Sequence, residues 1–116
     1  MSMKIQYLEI VTPDVEGTIA IFAASNNAKF SDPVAELGNA RVAKMPDGGQ
    51  ISVRAPMHAE EEPVTRTYFL TEDIDAATEQ AVAAGAELAH PVMDIPGQGK
   101  FSIFFHAGNQ FGYWQT

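Results

Sequence analysis

The stretch KIQYLEIVTPDVEG, residues 4–17, decides the fold, because part of it is written again later in the chain. Thr12-Pro13-Asp14-Val15-Glu16 returns as Thr71-Glu72-Asp73-Ile74-Asp75, a shift of 59 (71 − 12). Both read Thr-x-Asp, then a β-branched residue, then an acid. Carried backwards, the shift lays Tyr7, Glu9 and Ile10 over Arg66, Tyr68 and Phe69; carried forwards, it lays Asn26 over Gly85. A second echo follows in the same order. Asp47-Gly48-Gly49-Gln50-Ile51 resembles Ala107-Gly108-Asn109-Gln110-Phe111, a shift of 60 (108 − 48). Two echoes nearly in register imply an internal duplication.

Each copy carries the same signals. In the first, Ile5 to Val11 reads as a strand, and Asp14 as the N-cap of a helix with Val15, Ile19, Ile21 and Phe22 in its buried stripe. Gly17 is expected to weaken that helix. Lys29 to Asp32 is expected to be a short strand. Ala40 to Lys44 and Gln50 to Arg54 form a hairpin around Pro46-Asp47-Gly48-Gly49. In the second copy, Thr65 to Leu70 is a strand, Asp73 caps a helix through Ala84, and Gly85 ends it. Glu87 to His90 reads as a short strand, and Lys100 to His106 pairs with Phe111 to Gln115 across Ala107-Gly108-Asn109. Between the copies, Ala55 to Pro63 holds two prolines and three consecutive acids, the marks of a linker.

Composition bounds the rest. The 116 residues suit one domain, and 46% hydrophobic with 19% charged residues is a globular balance. There is no cysteine, so disulfides, thiolate metal sites and cysteine nucleophiles are excluded. No run approaches the roughly 18 apolar residues of a membrane span, and no signal peptide is visible. A soluble cytoplasmic protein is expected. With a net charge of −8 and seven scattered Lys and Arg, the chain lacks the basic face that nucleic acid requires. The acidity mildly favours cationic small molecules. No nucleophile elbow, phosphate-binding glycine loop or dinucleotide fingerprint is present.

With its strand-Thr-Pro-Asp-helix at Ile5 to Ala24, its Leu70-Thr71-Glu72-Asp73-Ile74-Asp75-Ala76-Ala77 to Gly85, and its Gly108-Asn109 before the last strand, the chain resembles a known family over nearly its whole length. This is the glyoxalase / bleomycin-resistance / extradiol-dioxygenase group, the vicinal oxygen chelate superfamily. Tyr7-x-Glu9 together with Gly112-Tyr113-Trp114-Gln115 is most similar to uncharacterised glyoxalase-related members. The resemblance implies an α+β fold: two tandem βαβββ units whose mixed sheet curls into a half-open barrel, with helices outside and a pseudo-twofold cavity. The units are expected over about 3–55 and 64–116, joined by a linker at 56–63, as one domain over 1–116. Small members of the family are often homodimers.

Strand side chains alternate faces. Leu8 and Ile10 are expected under the first helix, which turns Tyr7 and Glu9 toward the cavity. The repeat turns Arg66 and Tyr68 the same way, and Thr67 and Phe69 toward the helix. In the family, an inward residue lies four positions after the turn glycine; here that is Gly112, followed by Trp114, with Ser52 and Arg54 as their echoes. The expected ligand-binding set is Tyr7, Ser52, Arg54, Arg66, Tyr68 and Trp114, with Glu9 as the one acid.

Metal-dependent members place His, Gln or Glu at the start of strands one and five and Glu in the closing strands. The matching positions here are Tyr7, Arg66, Gly112 and Ser52. Arginine repels a metal and glycine offers no ligand. No metal or other cofactor is therefore expected, and His58, His90 and His106 read as non-ligands. Glu9 is a general base on one reading and the ion-pair partner of Arg54 or Arg66 on the other. His90 to Gly99, HPVMDIPGQG, reads as an irregular stretch, either a lid or an ordinary connection. Three functions stay open. One is a metal-free protein binding a small aromatic or cationic molecule in the cavity. The second is a lyase, isomerase or dioxygenase of the family's kind, with Glu9 as base and a divalent metal. The third is a subunit whose interface matters more than its cavity.

Overall fold

The computed structural model describes residues 3–116. Among them are seven strands, two α-helices and one short 3-10 helix, in the α+β class expected. The order is β1 (Ile5–Val11), α1 (Val15–Asn26), the 3-10 turn Ala35–Leu37, β2 (Arg41–Lys44), β3 (Gln50–Arg54), β4 (Val64–Leu70), α2 (Ile74–Ala83), β5 (Glu87–Ile95), β6 (Gly99–His106) and β7 (Asn109–Gln115). The chain divides into two compact units: Leu8–Thr65, and the residues up to Tyr7 together with Arg66–Thr116. The chain passes between units inside β1 and again inside β4.

In the Leu8–Thr65 unit the strand order is β2-β3-β1. β2 and β3 form an antiparallel hairpin in which Val42 faces Ser52 and Ala43 faces Ile51. In the other unit the order is β1-β4-β7-β6-β5, with β4 and β7 parallel and β5, β6 and β7 antiparallel. Val11, Ala40, Ala43 and Val53 are buried in the first unit; Ile74 and Phe104 in the second. Phe104 sits edge-on to Phe111 at 4.6 Å. Below it a buried Thr78–Ser102 hydroxyl pair, 2.9 Å apart, satisfies two polar groups at once.

The repeated Thr-x-Asp is a device for starting a helix. Thr12 Oγ1 accepts the Asp14 N–H at 3.1 Å, and Asp14 Oδ1 accepts the Gly17 N–H at 3.0 Å. Thr71 Oγ1 accepts the Asp73 N–H at 3.3 Å, and Asp73 Oδ1 accepts the Ala76 N–H at 3.1 Å. Each cap satisfies an otherwise orphaned donor of the first turn. The duplication extends to the backbone. The Thr12 N–H donates to Arg54 O at 2.9 Å, and the Thr71 N–H donates to Trp114 O at 2.9 Å. Gly17 has a use too: a Cβ there would collide with the Asp14 carboxylate that caps the helix.

Several expectations are corrected. Lys29 to Asp32 is not a strand. Ser31 still reaches β2, donating its N–H to Val42 O at 2.8 Å, but one such bond does not make a ladder. Ile21 does not belong to the buried stripe of α1; it is 65% exposed, whereas Ile19 is buried. Residues two positions apart in a helix lie about 200° apart around its axis, so Ile19 and Ile21 cannot share a face. Helix α1 runs through Asn26, and the left-handed residue that ends it is Asn27 at φ 53°. The stretch from His90 is not irregular. β5 runs unbroken through Ile95, and a short turn leads into β6. Pro91 is tolerated because β5 is the edge strand and the register shifts around His90.

Candidate functional site

Every residue expected to line the cavity is buried: Tyr7, Glu9, Ser52, Arg54, Arg66, Tyr68 and Trp114 are all 8% exposed or less. The alternation that grouped them is real. In β1 the buried positions are Tyr7, Glu9 and Val11, and in β4 they are Arg66 and Tyr68. Leu8, Ile10, Thr67 and Phe69 occupy the other face and are only half-buried.

In the Leu8–Thr65 unit the site is a chain of three charges. Arg54 donates from Nε to Glu9 Oε2 at 2.8 Å. Its other end donates from Nη1 and Nη2 to the two oxygens of Glu61, at 2.9 and 2.7 Å. Glu61 Oε1 also accepts the Met57 N–H at 2.7 Å. Burial works against the Arg54 cation, but the hydrogen bonds and charges of Glu61 and Glu9 outweigh it and hold the guanidinium protonated above its ordinary range. The Arg54 hydrogen bonds are the main cause that pulls the Glu61 carboxyl down to about 2. Of the two arginines proposed for Glu9, Arg54 therefore bonds it in this unit. Glu61 was not among the expected site residues, since it lies in the acidic linker. Ser52 makes a long hydroxyl contact of 3.5 Å to Leu8 O.

In the other unit the site is aromatic. Tyr7 stacks on Trp114 at 4.6 Å, and Tyr68 stands edge-on to both at 5.7 Å. Phe101 extends the group beside Trp114, and His90 stacks on Phe101 at 5.0 Å. The Trp114 indole N–H donates to Gln98 O at 3.2 Å. Arg66 donates from Nε and Nη2 to Gln110 Oε1, at 3.1 and 2.7 Å, and lies 3.5 Å from the Tyr68 hydroxyl. Gln110 is a second residue the sequence reading missed. The signal was present: it stands two positions before Gly112, on the same face of β7.

At the positions where metal-dependent members of the resembled family place their ligands stand Tyr7, Ser52, Arg66 and Gly112. Tyr68 faces Gly112 directly across β4 and β7. A Cβ at Gly112 would lie 2.7 Å from Tyr68 Cδ2 and clash with the Ser102 carbonyl oxygen. No ligating side chain has room there. Arg66 brings a cation, and Tyr7 is packed flat against an indole. His90 has its Nδ1 2.7 Å from Pro91 O, and His106 ends β6 beside the turn. Among the described residues, no three His, Asp or Glu side chains group where they could hold an ion.

A cleft of the Leu8–Thr65 unit lies elsewhere. It measures about 1050 Å³ and runs between the end of α1, residues 28–31 and the β2–β3 hairpin. None of the expected site residues lines it.

No family model matches the chain. A 49-residue stretch is 39% identical to the anthracycline biosynthesis protein DnrV of Streptomyces peucetius. That stretch is 41% of this chain but only 18% of that protein's length. Solved structures agree over nearly the whole chain. A hypothetical protein of Bacillus halodurans C-125, BH1468, matches with a TM-score of 0.79 at 10% identity, over 100% of this chain and 96% of that one. Methylmalonyl-CoA epimerase from Mycobacterium tuberculosis matches at 0.73 and 12% identity, over 96% and 86%. The Streptomyces coelicolor epimerase, solved with 2-nitronate-propionyl-CoA, matches at 0.71 and 16% identity, over 97% and 96%. The fold is that of the vicinal oxygen chelate, or glyoxalase-type, proteins. At these identities the likeness carries the fold and no activity.

Proposed function

We propose that this chain is a glyoxalase-type protein that binds a small aromatic molecule and uses no metal at the family's usual position. One observation carries the reading. The place where a closing-strand ligand would stand is Gly112, and the Tyr68 ring and Ser102 carbonyl occupy the space its side chain would need. The competing reading is an isomerase, lyase or dioxygenase in which Glu9 acts as base while Arg54, itself held by Glu61 from the other side, bonds its Oε2. The aromatic part of the proposal draws support from the relative, similar over 49 residues, whose name assigns it to anthracycline biosynthesis. A cytoplasmic homodimer belongs to the same reading; among the described residues no helix is long and apolar enough to cross a membrane.

The test has two arms. Chelator-stripped protein is titrated with cobalt, nickel and zinc ions by calorimetry; no stoichiometric uptake is expected, and one tightly held equivalent would overturn the metal-free reading. A thermal-shift screen of small aromatic compounds is expected to yield stabilising ligands. A screen with none would count against binding.

A further inference from the structure

We infer that the cleft between α1 and the β2–β3 hairpin is a binding site for a flat apolar anion, an aromatic body carrying one acidic group. The walls supply the first half of this chemistry. Phe22 comes from the last turns of α1, Phe30 from the segment after it, and Met45 and Ile51 from the hairpin. All four are half-buried, so apolar surface remains for a ligand to cover. The volume, about 1050 Å³, is at the upper end for small-molecule pockets, which run to roughly 1,000 Å³.

The rim supplies the second half. The Leu8–Thr65 unit contains four Lys and Arg. Arg41 is bonded to Glu16 at 2.8 Å, and Arg54 to Glu9 and Glu61. The remaining two, Lys29 and Lys44, both line the cleft, and among the described residues neither has an acid within ion-pairing distance. The only acid on the lining is Asp47, whose Oδ1 accepts the Gly49 N–H at 2.9 Å and so closes the hairpin turn. The charged residues on the lining, two Lys and one Asp, therefore sum to one positive charge in a chain whose net charge is −8. The carbonyl end of α1 opposes an anion at one edge. Two exposed ammonium groups outweigh that fractional charge. An acidic surface repels anions in general, so two unpaired lysines over an apolar floor select one that also has rings to bury.

The inference rests on the reading of this chain as a binding protein, but its test is independent of metal. The probe is 8-anilinonaphthalene-1-sulfonate, titrated into folded protein and followed by fluorescence, with amide shifts recorded by NMR. One saturable site is expected, with shifts confined to residues 22–31 and 42–51. The double variant Lys29→Glu with Lys44→Glu is expected to bind at least tenfold more weakly. Lys29→Gln with Lys44→Gln should fall between, and Lys100→Glu, outside the cleft, should bind as the parent does. Thermal melts check that each variant is folded. No saturable binding, unchanged affinity in the double Glu variant, shifts elsewhere, or equal binding of the cationic dye thioflavin T would each overturn the inference. Stoichiometric metal uptake would sink the preceding proposal and leave this result standing.

Discussion

Around Arg54, two acids distant in sequence share one guanidinium, and the consequences are measurable in acid. Glu61 is held at about 2 against an ordinary 4.5, so in the folded state it keeps its charge where the unfolded chain has taken up a proton. A carboxyl with a lowered folded value stabilises the fold above its unfolded value. That contribution is fully present above about pH 4.5 and is lost as pH falls toward about 2. Glu61→Gln is expected to be less stable than the parent near neutrality and to lose the part of the acid sensitivity that falls in this window. Melting temperatures of both proteins across that range decide it; parallel curves would refute the assignment. The Glu9–Arg54 half of this site was legible in the sequence, because period-two alternation puts both residues on the face opposite Leu8 and Ile10. Glu61 was not. It stands in Glu60-Glu61-Glu62, and nothing in a run of like charges says which one Arg54, seven residues earlier, will pull inward.

Among the elements, the legible ones announce themselves by local chemistry. The two helix starts depend on a side chain three residues from its partner N–H, and the hairpins depend on turn residues next to their strands. Ala107 and Gly108 both take positive φ, 51° and 86°, as a two-residue turn between His106 and Asn109 requires. Asp14→Ala and Asp73→Ala are each expected to cost about 1 kcal/mol, while Asp→Asn at either position should cost little. Urea denaturation of the single variants measures this, and an unaffected Ala variant would show that the cap does not contribute. The misread elements depend on neighbours instead. Lys29 to Asp32 has strand-like residues, yet Ser31 makes its bonds to β2 without joining a ladder. β5 has one proline at its middle, Pro91, and another just past its end, Pro96, and reads as a loop until its position at the edge of the order explains how Pro91 is accommodated.

For the molecule as a whole, the dominant long-range term is the net charge of −8, which repels itself in the compact state. Raising salt from about 0.05 M to about 0.5 M shortens the screening length from beyond 10 Å to a few Å. The melting temperature is expected to rise over that range, because the buried Arg54 pairs are screened less than the exposed acids. A falling melting temperature would mean that attractive surface pairs outweigh the repulsion. The sequence by itself determined the duplication, the two capped helices, the paired hairpins and the alternation that assigns Glu9, Arg54, Arg66 and Trp114 to the buried face. All of these follow from spacing of a few residues or from one fixed shift. Only the tertiary structure decided that the Tyr68 ring fills the space beside Gly112, that Glu61 leaves the linker to bond Arg54, and that the cleft of the Leu8–Thr65 unit opens beside Lys29 and Lys44. Those outcomes depend on which atoms exclude one another once distant strands are brought together, and steric exclusion between distant residues leaves no periodic trace in the chain.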